Sequence, residues 1–313
     1  MVQPILSICI PIYNRLSYLE KMLSRFWEDK DLFDEKIHLF IADNCSQEDL
    51  RSCCKKFQTM GLSLYYHRNA ENIGPDRNFE LCFHSGKGKY TWLLGSDDIP
   101  VNGFLRGLLA QLEKNDYGLF HLSMRPSKSE LKEFTKSGDM VVSVNYWITF
   151  MSANVVRTET INGVDLSAYR SSNLIQVPMY LNACLTSKLN AISYLGNPFE
   201  QETDSANNGG YNLFRVFVVN LHDIYDTFVK KGLLSIKDYK QLKKVEYKEF
   251  LSYYIIVLLI FKRNKNFDTK DAWSILFKYY GCYPYSYYYI AYFLLKSSTR
   301  KILKSIFSIF TRK

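Results

Sequence analysis

The sequence predicts an α/β domain, a mostly parallel sheet flanked by helices, followed by a helical, basic C-terminal extension. Three observations predict it. Apolar runs of strand length alternate with helix-period segments up to residue 123, the pattern of βα units. Those runs end in polar, turn-forming residues. The charge is also divided: residues 230–313 hold 18 Lys and Arg against 5 Asp and Glu, and residues 1–229 hold 22 against 26. Residues 1–210 are assigned to the α/β domain and 211–313 to the extension, with the boundary near Asn207-Asn208-Gly209-Gly210.

Residues 5–10 (ILSICI) form a short apolar run stopped by Pro11, hence a buried strand. Leu16, Leu19, Met22, Leu23 and Phe26 recur at helical spacing and give a helix over 16–28. Residues 37–42 (IHLFIA) are a second strand ending at Asp43-Asn44. A helix over 47–59 follows, with Ser46 as its N-cap. Residues 62–67 (LSLYYH) are a third strand. Asn72-Ile73-Gly74-Pro75 is a turn whose proline opens a helix to residue 84. Residues 89–94 are a fourth strand, then come an acidic turn, a helix over 101–114 and a fifth strand over 117–123. Residues 139–144 read as a strand, 173–185 as a helix and 191–195 as extended. From residue 211 the pattern is helical, over 211–231, 236–262, 269–280 and 285–310.

Composition bounds the class. A chain of 313 residues, 47% hydrophobic and 16% aromatic, buries a full core and is folded. Its seven cysteines are odd in number and lack framework spacing, so free thiols in a reducing cytosol are expected. The apolar start is too short for a secretory signal and stops at Pro11. No apolar run reaches the roughly 18 residues of a spanning helix.

The run Tyr90-Thr91-Trp92-Leu93-Leu94-Gly95-Ser96-Asp97-Asp98 carries the chemistry. A buried strand does not hold acids in its middle, so Asp97 and Asp98 sit where the strand emerges. In open α/β sheets that edge binds ligands. With no Lys or Arg neighbour to neutralise them, the pair suits a hard cation such as Mg²⁺ or Mn²⁺. The alternative is an Asp-rich turn in which Ser96, Asp97 or Asp98 caps the next helix.

Parallel strands bring the other strand ends to the same edge. They are Pro11-Ile12-Tyr13-Asn14, Asp43-Asn44 and the stretch from Asn69 to Asp76. Collected there are a flat aromatic (Tyr13), an acceptor for a base or ribose (Asp43), amides (Asn14, Asn72), a glycine turn (Gly74) and a cation (Arg77). A nucleoside diphosphate with a metal on its phosphates requires these parts. Singly, each has a plainer use: Asp43 as a cap, Tyr13 as packing, Asn72-Gly74 as a turn, Arg77 as a partner of Glu80. The chain has neither G-x-G-x-x-G nor G-x-x-x-x-G-K-[ST], which argues against a Rossmann dehydrogenase and a P-loop NTPase.

Four ordered motifs carry a resemblance: Ile8 to Arg15 (ICIPIYNR), Ile41 to Ser46 (IADNCS), Asn72-Ile73-Gly74 and Leu94 to Asp98 (LGSDD). Over about residues 5–100 the chain closely resembles inverting family-2 glycosyltransferases of the GT-A fold, in particular the abequosyltransferase-like group acting on bacterial surface polysaccharides. The resemblance implies a nucleotide-sugar donor held by Pro11, Tyr13, Asn14, Asp43, Asn72, Gly74, Arg77 and Asp97. It implies a divalent metal, Mn or Mg, on Asp98, with Asp97 on the ribose or a metal-bound water. The acceptor is expected to be a lipid-linked glycan in capsule, O-antigen or exopolysaccharide synthesis. Three departures stand out. Gly95 replaces an acid common in the family, and Asp76-Arg77-Asn78 comes early. The family's Glu-Asp pair, whose Asp is the base, is absent near Ser171-Ser172-Asn173-Leu174-Ile175-Gln176. Asp165, Glu200, Glu202 and Asp204 are the acids nearby. A catalytically silent transferase-like binding protein is the competing reading.

In the extension, residues 250–261 are the most apolar run but too short to span a bilayer. Lys296, Arg300 and Lys304 are four apart and share a helix face, with Ile302, Ile306 and Ile309 on another. A basic amphipathic helix suits an anionic membrane surface, so a cytoplasmic protein peripheral to the inner face of the bacterial plasma membrane is expected. The alternative is a helical bundle with a solvated basic face. Nucleic acid is not an expected partner, because the nucleotide-like edge lies in the acidic half and no recognition motif is present.

Overall fold

The computed structural model describes residues 3–125, 127, 129–200, 210–263 and 266–296. The candidate acids Glu202 and Asp204, and the expected basic helix beyond residue 296, lie outside the described residues. The chain forms two compact units, Met1–Thr203 with Lys230–Leu234, and Asp204–Val229 with Ser235–Lys313.

The first unit runs β1 (Leu6–Ile12), α1 (Leu16–Glu28), α2 (Leu32–Glu35), β2 (Ile37–Asp43), α3 (Leu50–Thr59), β3 (Tyr65–Arg68), α4 (Pro75–His84), β4 (Tyr90–Leu93), α5 (Phe104–Leu112) and β5 (Leu119–Leu122). It continues with β6 (Leu131–Phe134), α6 (Ser137–Val144), β7 (Asn154–Arg157), α7 (Gln176–Thr186) and β8 (Asn190–Ser193). The eight strands lie in the order β3-β2-β1-β4-β7-β5-β8-β6. β1 pairs parallel with β2 and β4, β2 with β3, and β5 with β8. β7 is antiparallel to both β4 and β5, so those two point the same way as β1. The C-terminal ends of β1 to β5 therefore open on one edge.

Core side chains cover the sheet because each flanking helix buries one stripe. α1 buries Leu19, Met22, Leu23 and Phe26, and α5 buries Leu105, Leu108, Leu109 and Leu112. Each such side chain contributes about 1.5–3 kcal/mol relative to exposure. Trp92 lies fully buried in β4 and donates its indole N–H to the Ser152 carbonyl at 2.8 Å. β1 runs through Pro11, where the sequence alone ends the strand. Cys9 and Pro11 face the β4 side, and the pairing with β4 ends at Cys9. The missing proline N–H thus falls where no neighbour needs it.

Three elements depart from expectation. Residues 139–144 are helical, within α6, because Met140, Val141 and Val144 share one buried helix face. β6 and β7 lack a periodic signal. β6 (LKEF) carries two exposed residues at the sheet edge, and β7 (NVVR) is buried by the strands on either side.

In the second unit, a π-helical segment, Arg215–Asn220, leads into α8 (Leu221–Lys230), whose last residue falls in the first unit. α9 (Ile236–Glu246) continues through α10 (Ser252–Tyr254) and a wide-turned segment, Ile255–Ile260. α11 (Ala272–Tyr280) and a helix over 284–296 complete it. Among the described residues no helix is long and apolar enough to cross a membrane.

This unit buries ionisable groups. His222 Nε2 shares a hydrogen bond of 2.7 Å with the Tyr280 hydroxyl and lies 3.7 Å from Glu246 Oε2. Neither Glu246 oxygen has a hydrogen-bond partner among the described residues. Burial pushes the Glu246 carboxyl well up, with Lys243 offsetting part of it, and burial pushes His222 down to about 3. At neutral pH this is a contact between two neutral groups. In the unfolded chain Glu246 ionises above about pH 4.3, whereas the native state keeps its proton. The unfolded state then binds fewer protons, so Glu246 lowers stability as pH rises, by about 1.4 kcal/mol per pH unit at most. Glu246→Gln is expected to flatten this slope in urea unfolding between pH 5 and 8. The acid limb from His222 below about pH 6.5 stays in both proteins. Equal slopes would show that Glu246 ionises in the native state.

Candidate functional site

The end of β1 turns sharply. Asn14 and Arg15 both adopt positive φ, 52° and 81°, a conformation costing about 1–3 kcal/mol for a residue with a side chain. The loop after β2 holds that turn in place. Ser46 Oγ accepts from the Asn14 N–H at 2.8 Å, and Asn14 Oδ1 accepts from the Gln47 N–H at 2.9 Å. Glu48 accepts from the Leu16 N–H at 3.0 Å and so caps α1 from across the site. Tyr13 stands beside the turn with its ring exposed.

Asp43 ends β2 and is wholly buried. Its Oδ1 accepts from the Ser46 N–H at 2.8 Å. Its Oδ2 accepts from the Tyr66 hydroxyl at 2.5 Å and from Arg68 Nη1 at 3.0 Å. Burial works to raise its pKa, but the bonds from Ser46, Tyr66 and Arg68 outweigh it and hold the carboxyl below the usual aspartate value. The helix that follows starts at Leu50 and is capped by Asp49, not Ser46, through the Ser52 N–H at 3.0 Å.

Asparagine side chains tie the next loop to β2. Asn44 Nδ2 donates to Asn72 Oδ1 at 2.8 Å, and Asn44 Oδ1 accepts from Asn69 at 3.1 Å and from the Ile73 N–H at 3.0 Å. Asn78 donates to the Ala42 carbonyl at 2.9 Å. Gly74, at φ 81° and ψ 163°, makes the turn into α4 that other residues resist. Asn72 and Gly74 thus shape the loop. Arg77 is exposed and makes no ion pair among the described residues. Glu80, expected as its partner, is held instead by Arg170 with two contacts of 3.0 Å.

The acidic turn follows β4. Gly103 precedes α5 and no side chain caps that helix, so Ser96, Asp97 and Asp98 are not its caps. Asp98 Oδ2 accepts from Ser152 Oγ at 2.5 Å, and Ser152 Oγ accepts from the Gly95 N–H at 2.8 Å. A Cβ on Gly95 would lie 2.5 Å from Asp98 Oδ2 and 3.2 Å from Asp97 Oδ1. A side chain at this position would require the Asp98 carboxylate to move. Asp97 does have a basic neighbour, contrary to expectation. Arg15 Nη1 lies 2.9 Å from Asp97 Oδ2 and 3.2 Å from Ser96 Oγ. β1 and β4 are adjacent, so residues remote in sequence meet at their ends. Among the described residues no group of three His, Cys, Asp or Glu side chains converges to cage a cation. Two carboxylates remain, oxygen donors suited to a hard divalent ion whose other ligands are phosphates and water.

Of the candidate bases, Glu202 and Asp204 lie outside the described residues, and Asp165 and Glu200 have partners of their own. Asp165 accepts from the Ser167 N–H at 2.9 Å in an exposed turn, and Glu200 is paired with Arg25. Where a Glu-Asp pair was sought, Ser171 donates its N–H to Asp76 at 2.6 Å. Gln176 donates to the Thr149 carbonyl at 2.8 Å, and its buried Oε1 has no partner among the described residues. Sequence reasoning missed Arg15, Tyr66, Arg68 and Ser152. Arg68 could have been found, since it directly follows the third predicted strand as Asp43 follows the second.

The fold matches solved structures. Over 80% of this chain and 72% of the other, the fold superposes on S. aureus TarS 1–349 in complex with UDP, with a TM-score of 0.57 at 15% identity. The fold is of the GT-A type. The chain belongs to Glycosyl transferase family 2, whose sequence pattern matches residues 7–175. It is 36% identical over 110 residues to the abequosyltransferase RfbV of Salmonella typhimurium, covering 35% of this chain and 33% of that protein. It is 25% identical over 137 residues to the GalNAc(5)-diNAcBac-PP-undecaprenol beta-1,3-glucosyltransferase of Campylobacter jejuni, covering 43% of each. The matched stretch spans less than half the length of these curated relatives.

Proposed function

We propose that this protein transfers a sugar from a nucleotide-sugar donor to an acceptor hydroxyl, with inversion at the anomeric carbon. The observation that carries this reading is the convergence of Tyr13, the Asp43–Arg68 pair and the Asp97-Asp98 turn on one sheet edge. Tyr13 offers an exposed ring for a base to stack on. Asp43, with Tyr66 and Arg68, presents a fixed set of polar groups at the base and ribose. Asn72, Gly74 and the asparagine network hold the turn into α4, whose exposed Arg77 would be available to a phosphate. Asp98, steadied by Ser152, would hold a divalent metal, and Asp97 the ribose or a metal-bound water. The metal supplies Lewis-acid neutralisation of the leaving diphosphate. Arg15, paired with Asp97 at 2.9 Å, offers its guanidinium to the diphosphate as a second anionic partner. The acceptor's proton acceptor is unassigned: Asp165 and Glu200 are tied to Ser167 and Arg25, and Glu202 and Asp204 lie outside the described residues.

The acceptor in this reading is a lipid-linked glycan of surface-polysaccharide synthesis. The undecaprenol-linked substrate named for the Campylobacter relative supports it. Work on such an acceptor places the protein at the inner face of the plasma membrane, held through its basic C-terminal region. The test is hydrolysis of a panel of nucleotide sugars with and without Mn²⁺. Slow release of nucleoside diphosphate from one donor, dependent on the metal, is expected. Tight donor binding with no release over hours would favour a silent binding protein, the reading the missing base invites.

A further inference from the structure

In the second unit, α11 and the helix over 284–296 form an open apolar groove of about 710 Å³, lined by Trp273, Phe277, Tyr280, Tyr287, Ile290 and Leu294 among others. α11 is apolar on two faces. Ala272, Ile275, Leu276 and Tyr280 pack into the core, while Trp273 and Phe277 stay 59% and 75% exposed. The helix over 284–296 has a single charged residue, Lys296, and a single buried one, Ser286. A helix apolar all round belongs in a core or a membrane. Its 13 described residues are too few to cross one. This surface is built for contact with something apolar.

Charge selects the occupant. Lys278 follows Phe277, and Lys296 lies two residues past Leu294 with its ammonium over the Tyr292 ring. Residues 230–313 carry 18 basic side chains against 5 acidic ones. A second copy would bring like charge against like charge. A hydrocarbon chain with an anionic head satisfies both features: the chain fills the groove, and the lysines meet the phosphate. Trp and Tyr at the rim have the amphipathic rings found at membrane interfaces. We propose that the groove takes the hydrocarbon chain of an anionic membrane lipid. This deepens the membrane reading above, and the experiment separates the two.

The full-length protein is mixed with phosphatidylcholine–phosphatidylglycerol vesicles whose acyl chains are brominated near mid-chain. Bromine quenches tryptophan only at close range, so Trp273 fluorescence is expected to fall, and the quenched fraction to disappear in Trp273→Phe. Phe277→Ser is expected to weaken vesicle binding about tenfold, as loss of one buried aromatic predicts. Its fold should hold, because Phe277 is exposed; donor binding and circular dichroism check this. Vesicle binding without quenching, abolished by salt, would overturn the groove and leave surface attachment by charge alone. Absence of vesicle binding, with Phe277 protected only at high protein concentration, would overturn it in favour of self-association. Capture of an acidic protein on the groove in place of lipid would overturn it too.

Discussion

Asp98→Asn is expected to cut metal-dependent turnover by roughly a hundredfold or more while leaving the fold intact. The amide is isosteric, and its oxygen still accepts from Ser152 Oγ, the contact now made at 2.5 Å. The turn around Gly95, where a Cβ would collide with the acids, therefore keeps its shape. What goes is the negative charge. Groups placed at developing transition-state charge are worth about 10²–10³ in rate, so the loss should fall in that range. Calorimetric titration with nucleoside diphosphate and Mn²⁺ gives a second readout: the gain in affinity from Mn²⁺ should vanish. Ser152→Ala is a useful companion, since the Ser152 hydroxyl bonds Asp98 and the Gly95 N–H and acts through them. A smaller loss, rescued by higher Mn²⁺, is expected. Asp98→Asn with turnover and Mn²⁺ dependence unchanged would remove Asp98 from the site.

Much of this edge was legible from sequence for one physical reason. A strand buried on both faces tolerates no charge within it, so charge marks where it ends. That logic located Asp43 and Asp97-Asp98. The parallel sense of βα units then put them on one sheet edge, at the ends of β2 and β4 with β1 between them. What stayed hidden was pairing between remote residues. The absence of a basic neighbour for Asp97 holds along the chain and fails across the sheet, where Arg15 sits at the end of the adjacent strand. Ser152 escaped notice because it belongs to the approach to β7, a strand with only two apolar residues. Its burial comes from β4 and β5, which periodicity within four residues cannot reveal. The valines of α6 misled in the opposite sense: β-branched residues suggested a strand, and a buried helix face decided otherwise.

Asp43→Ala is expected to lower stability by about 3 kcal/mol, besides any effect on donor affinity. The carboxylate is fully buried and accepts three hydrogen bonds, from Ser46, Tyr66 and Arg68. Removing it strands the Ser46 N–H, the Tyr66 hydroxyl and one face of Arg68. Breaking a buried ion pair from one side costs about 3–5 kcal/mol. Arg68 is partly solvated and keeps its 2.7 Å bond to the Ser46 carbonyl, which argues for the lower end. The change has a pH signature. The native carboxyl is held below the ordinary aspartate value, so its stabilisation is present above about pH 4 and is lost as pH falls through the lowered native value. Urea unfolding of wild type and Asp43→Ala should therefore give a constant gap from pH 5 upward and curves that converge in acid. A gap that persists unchanged to pH 2 would mean the loss comes from packing alone. A variant as stable as wild type at pH 7 would mean that Tyr66 and Arg68 find other partners, and that Asp43 serves the donor and not the fold.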